Sequence, residues 1–364
     1  MKRSVSFVLA AILPLILFPW FVPTPANQLD FWLMWLVAMF ILALPMVYAE
    51  VALAYRSGNE PLSGIQKLTR EADVSAIWRG SIWFGVLVAL TVSAYLISWS
   101  STALLPTLTQ LGIEGVPTFA VMLGLMVIAV ILSMLGSITA VVGLICAIVG
   151  LGMTLVNGIA DFSLQMTPVT LAEWGRAVML ALVSVGAGSG LYWFANAGNG
   201  IDYTSKPSAT KAVLPIWAVQ LIAGGVALVV ASVKTSAPSD MMQIANVITA
   251  IGSVCLASAL IYYARQILST RFGRVLAILI ALLLGLLLVV IPGAILLMLL
   301  VILVSVSVLM LSIFTGWLMK ISHLRKSMNF SSEGFYNIWR IAIRILVPLA
   351  VLVGLAGWLA GWVN

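Results

Sequence analysis

The chain has 364 residues, 63% of them hydrophobic and 8% charged, with a mean hydropathy of +1.17; this is the composition of an integral membrane protein and excludes a soluble globular domain. Its net charge of +7 is spread through connecting segments rather than gathered into a basic stripe with interleaved aromatics, which excludes nucleic acid as the expected partner. The two cysteines, Cys146 and Cys255, both lie in apolar segments, so neither a disulfide framework nor a cysteine metal site is expected.

The first apolar segment, 5–22, follows Lys2-Arg3 and has the outline of a secretory signal peptide ending near Thr24-Pro25-Ala26, although it lacks a clean small-x-small cleavage motif. Whether it is retained or removed stays open, and the reading keeps it as a span. Pro14 and Pro19 each delete a helix hydrogen bond, so this span is expected to be irregular or broken. The second span, 31–54, carries Pro45 and an acid, Glu50, which needs a partner at that depth. Residues 56–79 form a polar connection with Lys67, Arg70, Glu71 and Asp73, whose Ile65, Leu68, Val74 and Ile77 predict a short helix lying at the interface.

The third span, 82–105, holds Ser93, Tyr95, Ser98 and Trp99 as polar handles. Gly136-Ser137 divides a fourth span, 119–135, from a fifth, 138–156. An extramembrane stretch with Asp161 and Glu173 leads into the sixth, 171–200. A loop with Asp202, Lys206 and Lys211 follows, then spans at 215–233, 241–264, 275–291, 294–318 and 341–363, giving eleven. The lone histidine, His323, sits in a basic loop beside Arg325 and Lys326 and is expected to be solvated. No nucleophile and base pair or metal cluster is visible, so the chain is not expected to be an enzyme.

The sixth span is interrupted by Ser184-Val185-Gly186-Ala187-Gly188-Ser189-Gly190. Three glycines within five residues cost roughly 1 kcal/mol each in a helix interior. Such a segment either packs closely on a neighbour or opens there, and an opened segment at membrane depth needs protein or a water-filled site to receive its bare backbone groups.

With eleven spans, sixteen of the eighteen lysines and arginines fall on one side, leaving only Arg176 and Lys234 on the other. The positive-inside rule then places the N-terminus in the cytoplasm and the C-terminus outside, in an inner or plasma membrane. Five spans preceding the sixth imply a second five that enter from the opposite side, an inverted repeat in which the irregular first and sixth spans correspond.

At this level the residues resemble the neurotransmitter:sodium symporter family, which has the LeuT fold. Leu44-Pro45-Met46-Val47-Tyr48-Ala49-Glu50 is similar to its Pro-Leu-Met-x-x-Glu segment, Tyr95-Leu96-Ile97-Ser98-Trp99 to its Tyr-x-x-Ser-Trp, and Ser184-Val185-Gly186-Ala187-Gly188 to its unwound substrate-binding helix. Ile338-Trp339-Arg340, continuing to Pro348, resembles the start of its eleventh helix. The resemblance implies an all-α fold of eleven helices with broken first and sixth helices. Residues 1–157 and 171–319 would be the two inverted five-helix repeats, and 336–364 an additional helix.

It further implies a secondary transporter of a small organic solute, amino acid or amine-like, bound at Ala89, Ser93, Ala181, Ser184, Gly186, Ala187, Gly188 and, in one of two registers of the eighth span, Cys255 or Ser258. Glu50 would brace the opened backbone of the sixth span. These lining side chains are small, which predicts a wide cavity, with close filling by other side chains as the alternative.

The family's glycine- and asparagine-rich first helix is absent, and Leu182, Ile216 and Val254 stand where the family has polar side chains. Sodium is therefore poorly supported as a coupling ion, protons through Glu50 are the alternative, and no cofactor or metal is expected. A transporter-like protein that senses or binds a partner without transporting is the second functional class.

Overall fold

The computed structural model describes residues 2–23, 26–160, 164–197, 208–234 and 240–363. Asp161, Gly200, Asp202, Lys206, the Thr24-Pro25 pair and Asn364 lie outside the described residues, as does the side chain of Lys234. Among the described residues, eight helices are long and apolar enough to cross a membrane: Leu29–Ser57, Ala76–Gln110, Thr118–Leu135, Ile138–Asn157, Thr210–Ala231, Asp240–Phe272, Gly293–Leu318 and Glu333–Trp362. Two shorter apolar helices, Ser4–Trp20 and Arg274–Val289, accompany them. One further segment is made of Leu171–Val185 and Leu191–Asn196. In chain order these form the first to eleventh segments, with the interrupted one sixth.

Burial separates core from periphery. The apolar windows of the second and third segments are 72% buried, whereas that of the fourth is 22% buried, so the former build the centre and the latter faces outward. In the ninth segment Ala277, Ala281 and Gly285 are buried at a spacing of four, while Val275, Leu279, Leu283 and Leu287 are exposed. That is a single narrow stripe facing protein and a broad apolar surface facing lipid.

The expectation of a broken first span is overturned: Lys2–Leu17 is one α-helix running through Pro14. The neighbouring Ile12, Leu13, Leu15 and Ile16 are all buried, so packing holds the helix where one hydrogen bond is missing. The path departs from α-helix only at Pro19, inside the short 3₁₀ turn Phe18–Trp20. Other prolines are absorbed in wider turns. A π-turn at Met39–Ala43 precedes Pro45 and another at Ala342–Leu346 precedes Pro348. The indole Nε1 groups of Trp217 and Trp339 donate to the carbonyls of Met39 and Pro45, at 3.1 Å in each case.

The polar connection after the second segment folds as the short helix Pro61–Glu71, with Ile65 and Leu68 buried. It meets the second segment through Arg56, which donates to the Glu71 carboxylate at 2.7 Å. Arg56 also lies 3.1 Å from Nδ1 of His323, on the helix Ile321–Met328. His323 is thus half-buried and engaged, not freely solvated as expected. Burial, reinforced by the Arg56 charge, holds its imidazole below its usual titration range.

At the opposite end of the bundle, Ile159–Ala160 pairs antiparallel with Val233–Lys234. There Asp30 accepts from the backbone N–H and hydroxyl of Thr167 at 3.0 and 2.8 Å, fastening the segment before the sixth helix to the start of the second.

Candidate functional site

The sixth segment begins with a capping box in which Thr170 Oγ1 accepts from the Glu173 N–H at 3.2 Å and Glu173 accepts from the Thr170 N–H at 2.9 Å. Its first helix ends at Val185, where the Ala187 N–H reaches back to the Leu182 carbonyl and the Gly186 N–H to that of Val183. This is a Schellman end, and it requires a left-handed residue at Gly186. Gly186, Gly188 and Gly190 all have positive φ, at 68, 75 and 79°. Any L-side chain at these positions would cost about 1–2 kcal/mol in backbone strain. The run of glycines is therefore an interruption at which the chain turns before resuming as Leu191–Asn196.

The interruption leaves donors and acceptors that other segments satisfy. Glu50, fully buried, accepts from the N–H groups of Gly190, Tyr192 and Trp193 at 3.2, 2.9 and 3.4 Å. Its carboxylate thus crowns the N-terminus of the second half-helix. On the carbonyl side, Tyr263 Oη donates to Ser189 O at 2.5 Å and Ser307 Oγ to Gly188 O at 2.7 Å. Ser189 folds its own hydroxyl onto Gly186 O at 2.5 Å. The second, eighth and tenth segments all converge on five residues.

Packing around the turn is close. A Cβ on Gly188 would lie 2.9 Å from the Val308 backbone nitrogen, one on Gly186 would meet Leu13 Cδ1 at 3.5 Å, and one on Gly85 would overlap the Ser189 carbonyl. Gly85, Ala89 and Ser93 recur every four residues, so the third segment turns one face of small residues inward.

Ala89, Ser93, Ala181, Ser184, Ala187 and Ser258 are all buried, gathered on the third, sixth and eighth segments. Ser93 already spends its hydroxyl on the carbonyls of Ala89 and Ala257, at 2.7 and 3.2 Å. Of the two eighth-segment alternatives, Cys255 packs on Gly143 of the fifth segment, whereas the Ser258 hydroxyl is fully buried with no hydrogen-bond partner. Buried polar groups are normally hydrogen-bonded, and the Ser258 hydroxyl is one of several among the described residues that are not.

None of these residues lines either of the two cavities described next, and at the turn Leu13 and Val308 pack close to Gly186 and Gly188. The sequence did not signal Leu13 or Val308, since an apolar contact has no chemical signature. Ser307 and Tyr263 were in principle discoverable as hydroxyls inside apolar spans.

One cavity adjoins the turn, and a second lies farther along the sixth segment, at the start of its first helix. One of about 110 Å³ is lined by Val5 and Leu9 of the first segment, Leu191 and Phe194 of the sixth, and Ala259 and Tyr263 of the eighth. The other, about 400 Å³, lies toward the opposite end among Trp20, Phe21, Ala172, Arg176, Leu297 and Trp358. Both are bounded by the first and sixth segments.

No family model matches the chain, and no curated protein does. Among solved structures, the chain is similar to the crystal structure of MhsT in complex with L-phenylalanine, with a TM-score of 0.69 and 14% identity over 97% of this chain and 98% of that one. The chain shares that all-helical membrane fold along nearly its whole length.

Proposed function

We propose that the protein is a secondary transporter that carries a small organic solute by alternating access. The observation that supports this best is the glycine turn that interrupts the sixth segment, its backbone braced by Glu50 and adjoined by a cavity between the first, sixth and eighth segments. An interrupted helix inside a membrane bundle is the arrangement expected of a transporter binding site.

In this reading the eight long helices, the two shorter ones and the interrupted segment make eleven crossings. Residues 1–157 and 171–319 are the inverted repeats, 336–364 the added helix, and the N-terminus is cytoplasmic. Ala89, Ser93, Ala181, Ser184, Gly186, Ala187, Gly188 and Ser258, closely packed at and around the turn in this structure, come to surround the solute when the turn opens, and the fold shared with MhsT, crystallised with L-phenylalanine, favours an amino acid or amine. Sodium coupling is weakly supported because Leu182, Ile216 and Val254 are buried without a ligand atom in their side chains, so a hard cation would depend on backbone carbonyls.

Thermal-shift measurements against amino acids and amines, with sodium or choline, test the proposal, since a ligand that binds only the folded state raises its melting temperature. A stabilising solute is expected, with little dependence on sodium and with loss of the shift in Ala187→Trp. Absence of any stabilising solute, or an unchanged shift in Ala187→Trp, would overturn the assignment of the site. The close packing of the turn favours, as a second reading, a protein that keeps the fold without transporting. Uptake into proteoliposomes, positive for a transporter and absent for a sensor, separates the two.

A further inference from the structure

Away from the glycine turn, two cavities of opposite character join on one flank of the bundle. The first is an apolar groove of about 600 Å³ between the second, seventh and eleventh segments, walled by Phe40, Leu44, Leu214, Ile338 and Leu346. Phe40, Leu214, Ile338 and Leu346 are 51, 43, 65 and 42% exposed, so the groove is open to the lipid side. The second is a cleft of about 1120 Å³ lined by Lys320, Arg325, Lys326 and Arg344, against the single carboxylate of Glu333. Phe330 and Ser331 line both, so the two chambers share a wall. The π-turn Ala342–Leu346 likewise turns Ala342 and Leu346 to the groove and Arg344 to the cleft.

We propose that this double chamber binds one anionic phospholipid, its phosphate-bearing headgroup in the basic cleft and an acyl chain in the groove. The charges are arranged for this. Arg325 is paired with Glu333, so Lys320 and Lys326 are the exposed cations available to a headgroup. Arg344 is fixed in place: its Nε donates to Gly316 O and its guanidinium stands 5.3 Å from the centroid of the Trp317 ring. A fixed guanidinium with free Nη donors suits a phosphate, and an aromatic ring beside it is a usual neighbour of the headgroup layer.

The groove continues from this layer into the apolar depth of the bundle. Eight residues of the second segment separate Tyr48, near its mouth, from Phe40, a helix rise of about 12 Å, which matches a sizeable part of an acyl chain. A zwitterionic lipid would fill the groove equally well, but the cleft's excess positive charge selects against it.

The test uses the full chain, purified and stripped of lipid in mild detergent. Phosphatidylglycerol, phosphatidylcholine of the same chains, and glycerol phosphate are compared by melting temperature and by lipid retained in native mass spectrometry. Phosphatidylglycerol is expected to stabilise and to be retained, with glycerol phosphate giving no shift because it lacks the chains. The exposed double variant Lys320→Gln with Lys326→Gln is expected to weaken phosphatidylglycerol binding roughly tenfold and to leave phosphatidylcholine binding unchanged. Ile338→Asn, on the groove wall, is expected to weaken both lipids. Equal retention of the two lipids by the unaltered protein would overturn the proposal, as would a glycerol phosphate shift matching that of the lipid or a lipid preference unchanged in the double variant.

Discussion

At the scale of single residues, the two engaged titratable groups lead to different predictions. Glu50 receives three backbone donors at full burial, and each would be orphaned by truncation at about 1–3 kcal/mol. Glu50→Ala is therefore expected to lower stability by at least about 3 kcal/mol, and Glu50→Gln, which keeps one acceptor oxygen, by roughly half of that. Chemical or thermal denaturation of the two variants checks the order. The same pair tests coupling: if Glu50→Gln still accumulates solute under an imposed pH gradient, the acid is a brace and not a proton carrier.

His323 sits below its ordinary pKa of 6.5 because burial, then Arg56, disfavours its charged form. A base with a depressed folded pKa contributes stability that is complete above the unfolded value and is lost as pH falls through the folded one. The melting temperature of the native chain should thus fall more than that of His323→Gln between pH 7.5 and a pH below the folded value. Parallel curves would remove the role. Glu50 was legible because an acid in an apolar span needs a partner. His323 was misread because Arg56 is 267 positions away and only the tertiary fold brings it close.

At the scale of elements, close approach between the third segment and the glycine turn is the feature that a methyl group can probe. In Gly85→Ala the new Cβ would overlap a carbonyl already tied to Tyr263, and overpacking of this kind costs about 1–3 kcal/mol. Gly225, on the seventh segment, has open space where its Cβ would stand, so Gly225→Ala should stabilise by about 0.5–1 kcal/mol through helix propensity alone. The pair, measured together, separates propensity from packing, and a neutral Gly85→Ala would remove the contact as a structural constraint.

Order and type of the elements were readable from hydropathy, glycine and proline. Their irregularities were not. Pro14 is carried inside a helix while Pro45 and Pro348 follow π-turns, a difference that no periodicity records.

At the scale of the whole molecule, the charge asymmetry predicts orientation. Reporters fused after Gly273 and after Val363 should be cytoplasmic and external respectively, and two reporters on the same side would refute the topology. The fold was legible across almost the entire chain from a few short motifs, even though the shared structure is matched at 14% identity. The close packing at the turn was not, because which side chains meet there depends on the relative placement of segments far apart in sequence. One such pairing joins parts of the chain made far apart in time. Gly175 approaches the backbone of Gly354, Gly357 and Trp358, and Gly361 packs on Ala172, so the first half of the sixth segment is seated against the eleventh. About 180 residues of synthesis separate the two faces, which at ribosomal rates is on the order of ten seconds or longer. During that interval the eleventh segment does not yet exist to cover the Gly175 face, whereas the residues that brace the central turn, Glu50, Tyr263 and Ser307, are all made before it.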